Sequence, residues 1–324
     1  MDMSNRYNRK IAALSGAVGA LALLYAGILI FGSEQARDPL FVWLEASRAD
    51  QADRIELSGS EGGVTLVRKG GLWFVSRDSR EYPAKQSRVQ DLLSIVTAKG
   101  RAPLRGTEAS SHERLGLAEG AASRLAIRSS AAPYPLLDLL IGNTDSTGQE
   151  VYLRKSGEAE VRSSEDRISG YVGSRPASWF NLRLFPEADY PNLNAEAVQR
   201  LTVEAPASGG GAPEVLTLSR HEGGWTLNSA SPADTQQAES YIGAVLMAEG
   251  EDFLAEDPAR PVQAEGRIRM ELGNGQTLDL AVGGLLEPES KRRSAWIEGA
   301  PFKYILAEWA LSRLFREGSY FGRP

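Results

Sequence analysis

Apolar and polar positions alternate along much of this chain, and the alternation comes in two sets. In Arg54–Gly59, RIELSG, Ile55 and Leu57 fall on one side of an extended strand, with Arg54, Glu56 and Ser58 on the other. Arg200–Ala205, RLTVEA, follows the same scheme. Val64–Val75, VTLVRKGGLWFV, and Leu216–Leu227, LTLSRHEGGWTL, each read as strand, glycine-containing turn and strand. Trp73 and Trp225 are placed to put a large ring on the packed side of each hairpin.

The period then changes. Tyr82–Gly100 and Ser231–Gly250 both carry Pro-Ala followed by apolar residues at helical spacing, such as Val89, Leu92, Leu93 and Val96. Both predict a helix closed by a glycine. Strand patterns return in Arg124–Ser129 and Arg267–Leu272, in Pro135–Asn143 and Thr277–Gly284, and in Glu150–Lys155 and Ser294–Gly299. Each set closes on an aromatic-rich stretch, SWFNLRLF at Ser178–Phe185 and EWALSRLF at Glu308–Phe315. Matches in one order, with insertions confined to loops, predict a duplication. Each copy reads as three strands, a helix, a loop, three strands, then a short strand and a terminal helix. Hairpins dominate and no βαβ alternation appears, so the predicted class is α+β with mainly antiparallel sheet. The expected copies span 53–185 and 197–321. Pro186–Asn194, with two prolines and no periodicity, marks a linker over 186–196. PASGGGAP, Pro206–Pro213, is expected as a hairpin tip because strands that belong together flank it.

Ahead of the copies lies a different pattern. Ile11–Phe31 runs for 21 residues without a charge, long enough as a helix to cross a bilayer core of about 30 Å. Arg6, Arg9 and Lys10 precede it, whereas charges of both signs follow, so the positive-inside rule places 1–10 in the cytoplasm and the rest outside. The run is longer than a signal-peptide core of ~7–15 residues, and FGSEQA is a poor cleavage site, so an uncleaved signal anchor is expected. Ala12, Gly16 and Ala20 share one face of it at the spacing of close-packing membrane helices, a pattern also common in any such helix. Residues 32–52 form a juxtamembrane connector. Its Phe41 and Trp43 have two readings, at lipid headgroups or packed on the first copy.

Composition narrows the chemistry. The net charge is −6 with no basic run, which argues against nucleic-acid binding. The chain has no cysteine, which excludes disulfides, thiolate metal sites and a Cys nucleophile. Its two histidines, His112 and His221, are the only candidates for a triad base. His112 sits in SSHE, which reads as a helix-start capping box, and His221 in a hairpin turn. No phosphate-cradling glycine motif, dinucleotide fingerprint, zinc-protease motif or nucleophile elbow occurs. NTDSTGQE, Asn143–Glu150, has the oxygen content of a cation loop without its spacing, and reads as a solvated turn. ESKRR, Glu289–Arg293, is the one compact basic stretch and also reads as a turn. No catalytic, metal or cofactor residues are assigned, and no cofactor is expected.

In order, the apolar N-terminal run, GGLWFV, YPAKQSRVQDLLSIV, LGL (Leu115–Leu117), LLIGN and EVYLRK resemble the bacterial DUF4340 family, over essentially Arg54–Phe321. The resemblance implies a single-pass, membrane-anchored protein, associated with ABC transport systems of the gliding type and their permease or auxiliary subunits. It carries no catalytic residues. The expectation is a non-enzymatic binding or scaffold protein of the inner membrane, with its duplicated domain in the periplasm or outside. The concave junction of the copies near Pro186–Asn194 is the expected interaction surface. The alternative is an envelope glycan or peptide hydrolase using paired carboxylates.

Overall fold

A computed structural model describes residues 40–60, 62–206, 214–255, 263–287 and 289–322. The expected membrane span at 11–31, the segment before it, 32–39 of the connector and the hairpin tip at 207–213 lie outside these residues. Among the described residues no helix is long and apolar enough to cross a membrane.

The strands build two nine-stranded antiparallel sheets. The first contains β1 (Arg54–Gly59), β2 (Gly62–Lys69), β3 (Leu72–Arg77), β4 (Arg80–Pro83), β5 (Leu104–Gly106), β6 (Ser123–Arg128), β7 (Leu137–Thr144), β8 (Glu150–Lys155) and β9 (Val161–Glu165). The second contains β10 (Val198–Glu204), β11 (Val215–His221), β12 (Gly224–Leu227), β13 (Ser231–Ala233), β14 (Asp252–Phe253), β15 (Ala264–Leu272), β16 (Thr277–Leu285), β17 (Arg293–Ile297) and β18 (Lys303–Leu306). Their orders are β4-β3-β2-β1-β6-β7-β8-β9-β5 and β13-β12-β11-β10-β15-β16-β17-β18-β14. Counted within each copy these are the same order, as a duplication predicts.

Alternation decides which face is buried. Ile55 and Leu57 of β1 face Ile127 and Leu125 across the ladder, and all four are buried. In the second sheet Leu201 and Val203 face Met270 and Ile268, again buried. The opposite faces carry charge ladders. Arg54 and Arg128 stand directly opposite, a repulsive pairing relieved by Glu56, which contacts both at 2.7 and 3.2 Å. Asp138 pairs with Arg124 on the first sheet, and Asp279 with Arg269 at 2.8 Å on the second.

The helices are α1 (Ala46–Ala49), α2 (Gln86–Thr97), α3 (Ala109–Arg114), α4 (Ser169–Val172), α5 (Thr235–Leu246) and α6 (Glu308–Leu314). In α2, Val89, Leu92 and Val96 are fully buried, one stripe at helical spacing. In α5 the stripe is Ala238, Ile242 and Val245, and Asp234 caps the first turn by accepting from Gln237 N at 2.9 Å.

Four sequence expectations change. Each copy has four strands before its main helix, because β4 and β13 are too short to show alternation. The loops after the helices hold the edge strands β5 and β14. The helices end at Thr97 and Leu246, short of the glycines expected to close them. Gly100 instead pairs with Phe41, and Gly250 N donates to Leu182 O at 2.8 Å. A side chain at Gly250 would meet Tyr304 and Ile305 at 3.1–3.2 Å, so close approach explains that glycine.

The last aromatic match is also in a different register. SWFNLRLF begins inside the 3₁₀ turn Pro176–Trp179 and is otherwise irregular, whereas EWALSRLF begins with α6. The true counterparts are the 3₁₀ turns Pro176–Trp179 and Gly318–Phe321. Trp179 O accepts from Lys85 N at 2.8 Å, and Phe321 O accepts from Asp234 N at 3.0 Å, each just ahead of its copy's main helix. Both rings are fully buried.

The chain divides into two compact units that do not follow the sheets. One holds the chain through Gly63 with Gln90–Ser174, and the other Val64–Val89 with Arg175–Pro324. In the first unit the connector is clamped to the end of α2 and the loop after it: Phe41 and Gly100 exchange backbone hydrogen bonds of 2.8 and 3.0 Å, and Leu44 N donates to Val96 O. Of the two readings for Phe41 and Trp43, packing on the fold is therefore the one found. In the second unit the hairpin of β2–β4 is held by Arg77, which bonds Asp252 at 2.8 and 3.0 Å and stacks on the Tyr82 and Phe180 rings. Tyr82 stacks on Phe253 at 4.7 Å, and Phe302 lies against both.

Candidate functional site

Four sequence features resolve into local structure. His112 lies in α3 and its Nε2 is 2.9 Å from Ala159 O. The helix is preceded by Glu108 with no side-chain cap, so the expected capping box does not form. His221 Nδ1 accepts from Gly223 N at 3.1 Å, so this nitrogen closes its own turn. The Asn143–Glu150 stretch is the β7–β8 turn. There Asp145 accepts from Thr147 Oγ1 and from the Gln149 and Glu150 amides at 2.6–3.0 Å. Those bonds, Thr147 first, lower its pKa to about 2. In ESKRR each base meets an acid: Lys291 Glu308, Arg292 Glu287, and Arg293 Glu265, at 2.6–3.1 Å. Among the described residues no three His, Asp or Glu side chains are grouped to hold a metal ion.

The groove that the fold does build lies wholly within the second unit. Its first wall begins at the β2–β3 turn, where Gly70 and Gly71 adopt φ of 57° and 84°, the left-handed pair that a two-residue hairpin requires. Behind them the Gln86 amide acts as an extra strand partner. Its Oε1 accepts from Trp73 N, and its Nε2 donates to Trp73 O and Ala84 O, all at 2.9 Å. Trp73 is thereby locked inward, while its neighbour Leu72 stays 43 % exposed at the rim.

The second wall is the Pro186–Asn194 segment. Pro186 O accepts from both Asp189 N and Tyr190 N at 3.0 Å, a tight turn that lays the Tyr190 ring against Phe185 at 5.5 Å. Burial and the neighbouring Asp189 charge push the Tyr190 phenol up, so it stays a neutral hydroxyl at physiological pH. The third wall is the β17–β18 turn. Gly299 at φ 83° reverses the chain, and Pro301 and Phe302 complete the apolar surface.

These walls enclose about 480 Å³. Past Asp189 and Tyr190 a second hollow of about 490 Å³ continues the groove, and the two share Gln276 and Leu278. Among the described residues, the charged side chains lining either hollow are Asp189, Glu196 and Glu298, all carboxylates. Glu298 also lies 3.5 Å from Arg267. Volumes of this size suit a small molecule or a short stretch of polypeptide. The surface offers apolar contact, hydrogen bonding and negative charge. Sequence reasoning pointed to Pro186–Asn194 but missed Leu72, Gln86 and Ala300–Phe302. Only the glycines and prolines at 70–71, 299 and 301 hinted that turns would gather here.

A family model described as "Domain of unknown function (DUF4340)" matches residues 73–265. The match covers more than half of the chain, and the chain belongs to that family. No curated protein and no solved structure matches it.

Proposed function

We propose that this member of the DUF4340 family is a single-pass inner-membrane protein, anchored by 11–31 with 1–10 in the cytoplasm. Its duplicated domain lies in the periplasm or outside and acts by binding, without catalysis, as an accessory component of a gliding-type ABC transport system. The apolar run, the basic residues before it and the family's association with such systems support this reading. The observation that carries it is the double groove around Asp189 and Tyr190, with mixed apolar and polar walls whose charged groups among the described residues are carboxylates. Such a lining favours a neutral or basic extended segment of a partner protein over an acidic one. Arg267 tempers Glu298, so Asp189 and Glu196 dominate the negative field.

The test is a photo-reactive residue at Leu72, with a second protein carrying it at Tyr134, which is 80 % exposed outside the groove. Irradiated in native membranes, the Leu72 protein should capture permease or auxiliary subunits of an ABC system, and the Tyr134 protein should not. Capture of the same proteins from both positions, or of none from Leu72, would sink the groove as the docking site. Carbonate extraction of the same membranes tests the anchor separately, since an anchored chain stays with the lipid.

A further inference from the structure

A larger hollow of about 660 Å³ lies within the first unit, in a place that the binding proposal does not use. Val96, Leu139, Leu153 and Ile168, all fully or nearly fully buried, form its floor. Phe41, Trp43 and Ile95, half-buried, form its mouth. The aromatic edge is fixed in place. Phe41 and Trp43 meet edge to face at 4.9 Å, and the Arg162 guanidinium lies 4.6 Å over the Phe41 ring. Arg162 is itself tied to Ala102 O at 2.9 Å and to Glu160. The wall is therefore built, and the connector is one side of it.

Charge at the mouth has the opposite sign to the groove of the second unit. Lys99, Arg101 and Arg167 line this hollow, are exposed, and form no ion pair among the described residues. Of the two carboxylates present, Glu150 is already committed to Arg105 at 2.8 Å, which leaves Glu165 against three cations. Unpaired cations at the rim of an apolar hollow match one chemical class: a long acyl chain with an anionic head. The chain would lie along Phe41, Trp43 and Ile95, the half-buried apolar surface of the mouth, and the head would take hydrogen bonds from the rim bases. The volume falls in the range of single small-ligand sites, about 300–1,000 Å³.

We infer that this hollow is a binding site for one anionic acyl amphiphile, with the aromatic pair of the connector as one wall. The inference does not depend on the partner groove. It is tested on full-length protein held in phosphatidylcholine nanodiscs, with photo-reactive palmitate in one arm and photo-reactive phosphatidylglycerol in the other. Labelled peptides are mapped by mass spectrometry.

The expected result is labelling concentrated on the peptides of Phe41–Trp43 and Ile95–Val96, well above that at exposed Leu104 and Tyr134. Palmitate alone labelling the hollow identifies a free fatty acid, and phosphatidylglycerol labelling it identifies a membrane lipid; either supports the site. The variant K99E/R101E/R167E changes only exposed side chains and should lower this labelling about tenfold. Ile95→Trp, which fills the mouth and leaves the cations, should block it. Labelling no higher than at Tyr134, or unmoved by both variants, overturns the inference.

Discussion

The β2–β4 and β11–β13 hairpins occupy equivalent places in the two copies and do different things. Their inner halves match residue for residue. Arg68 faces Trp73 as Arg220 faces Trp225, and both indoles are buried. Past that point the first hairpin is longer. Val75 faces Tyr82, after which Ser76–Glu81 and Arg77–Arg80 add two more pairs. In the second, Leu227 faces Ser231 and the turn follows at once. The added pairs carry Arg77, and Tyr82 stands where the second copy has only Ser231. These two residues contact Asp252 and Phe253, and so Val64–Val89 belongs to the second unit. Duplicated sequence has kept the sheet while two extra residue pairs and one aromatic ring reassigned a hairpin's packing.

If the copies are equivalent at their closures, the largest effects should come in a matched pair. Trp179→Ala and Phe321→Ala each remove a fully buried ring beside a main helix and should each cost about 3–5 kcal/mol. Hydrogen exchange should locate the damage: amides of Val89–Val96 open with the first substitution and those of Ala238–Val245 with the second. If Phe321→Ala left α5 protected, the equivalence of the two 3₁₀ turns would be wrong.

Gly142 near the end of β7 and Gly284 near the end of β16, one position apart in the matched register, should respond differently. A side chain at Gly142 would meet the Leu115 carbonyl oxygen at 2.2 Å, an atom of the backbone that cannot swing away. At Gly284 the nearest atom is Glu265 Oε1 at 2.7 Å, the end of a flexible chain. Gly142→Ala should cost about 1–3 kcal/mol, whereas Gly284→Ala should cost clearly less. Equal losses by thermal unfolding would mean that the first sheet yields as readily as the side chain.

Arg77→Ala tests the hairpin's reassignment directly. It removes an ion pair that is one quarter to one third exposed and a cation lying over two rings. A loss of about 1–2 kcal/mol is expected once screening is allowed for. Asp252→Ala added to it should cost little more, since the two act as one contact. Additive losses would show that Arg77 holds the hairpin through its rings and not through Asp252.

Much of this was legible in the sequence, for a physical reason. Period-2 alternation in stretches such as RIELSG and RLTVEA reports a sheet with one wet face, and the matched order of the stretches reports the duplication. The isolated antiparallel bridges Phe41–Gly100 and Ala84–Phe180 were invisible because single bridges have no period. β14, two residues long, is invisible for the same reason. The mistaken match of SWFNLRLF with EWALSRLF shows that aromatic content can mimic equivalence where backbone contacts alone define it. The groove residues escaped because they sit on three turns far apart in sequence, and only packing gathers them.

The smallest effect expected concerns two turns that use the same device with and without charge. In the β7–β8 turn the acceptor is the Asp145 carboxylate; in the β15–β16 turn it is the Asn274 amide, whose Oδ1 takes the Gln276 amide at 2.9 Å. Asp145 has its folded pKa lowered from 3.8 to about 2 by the bonds it accepts. A lowered folded pKa means that the unfolded chain binds a proton first as pH falls. The turn's contribution is therefore complete above about pH 4 and is lost progressively as pH drops toward 2. The Asn274 turn has nothing to titrate and should stay flat over the same window. Side-chain NMR of Asp145, with the Gln149 and Gln276 amide shifts followed from pH 5 to 2, reads both at once. A midpoint for Asp145 near 4, or a Gln276 shift that tracks the Gln149 shift, would show that the charged turn gains nothing over its neutral counterpart.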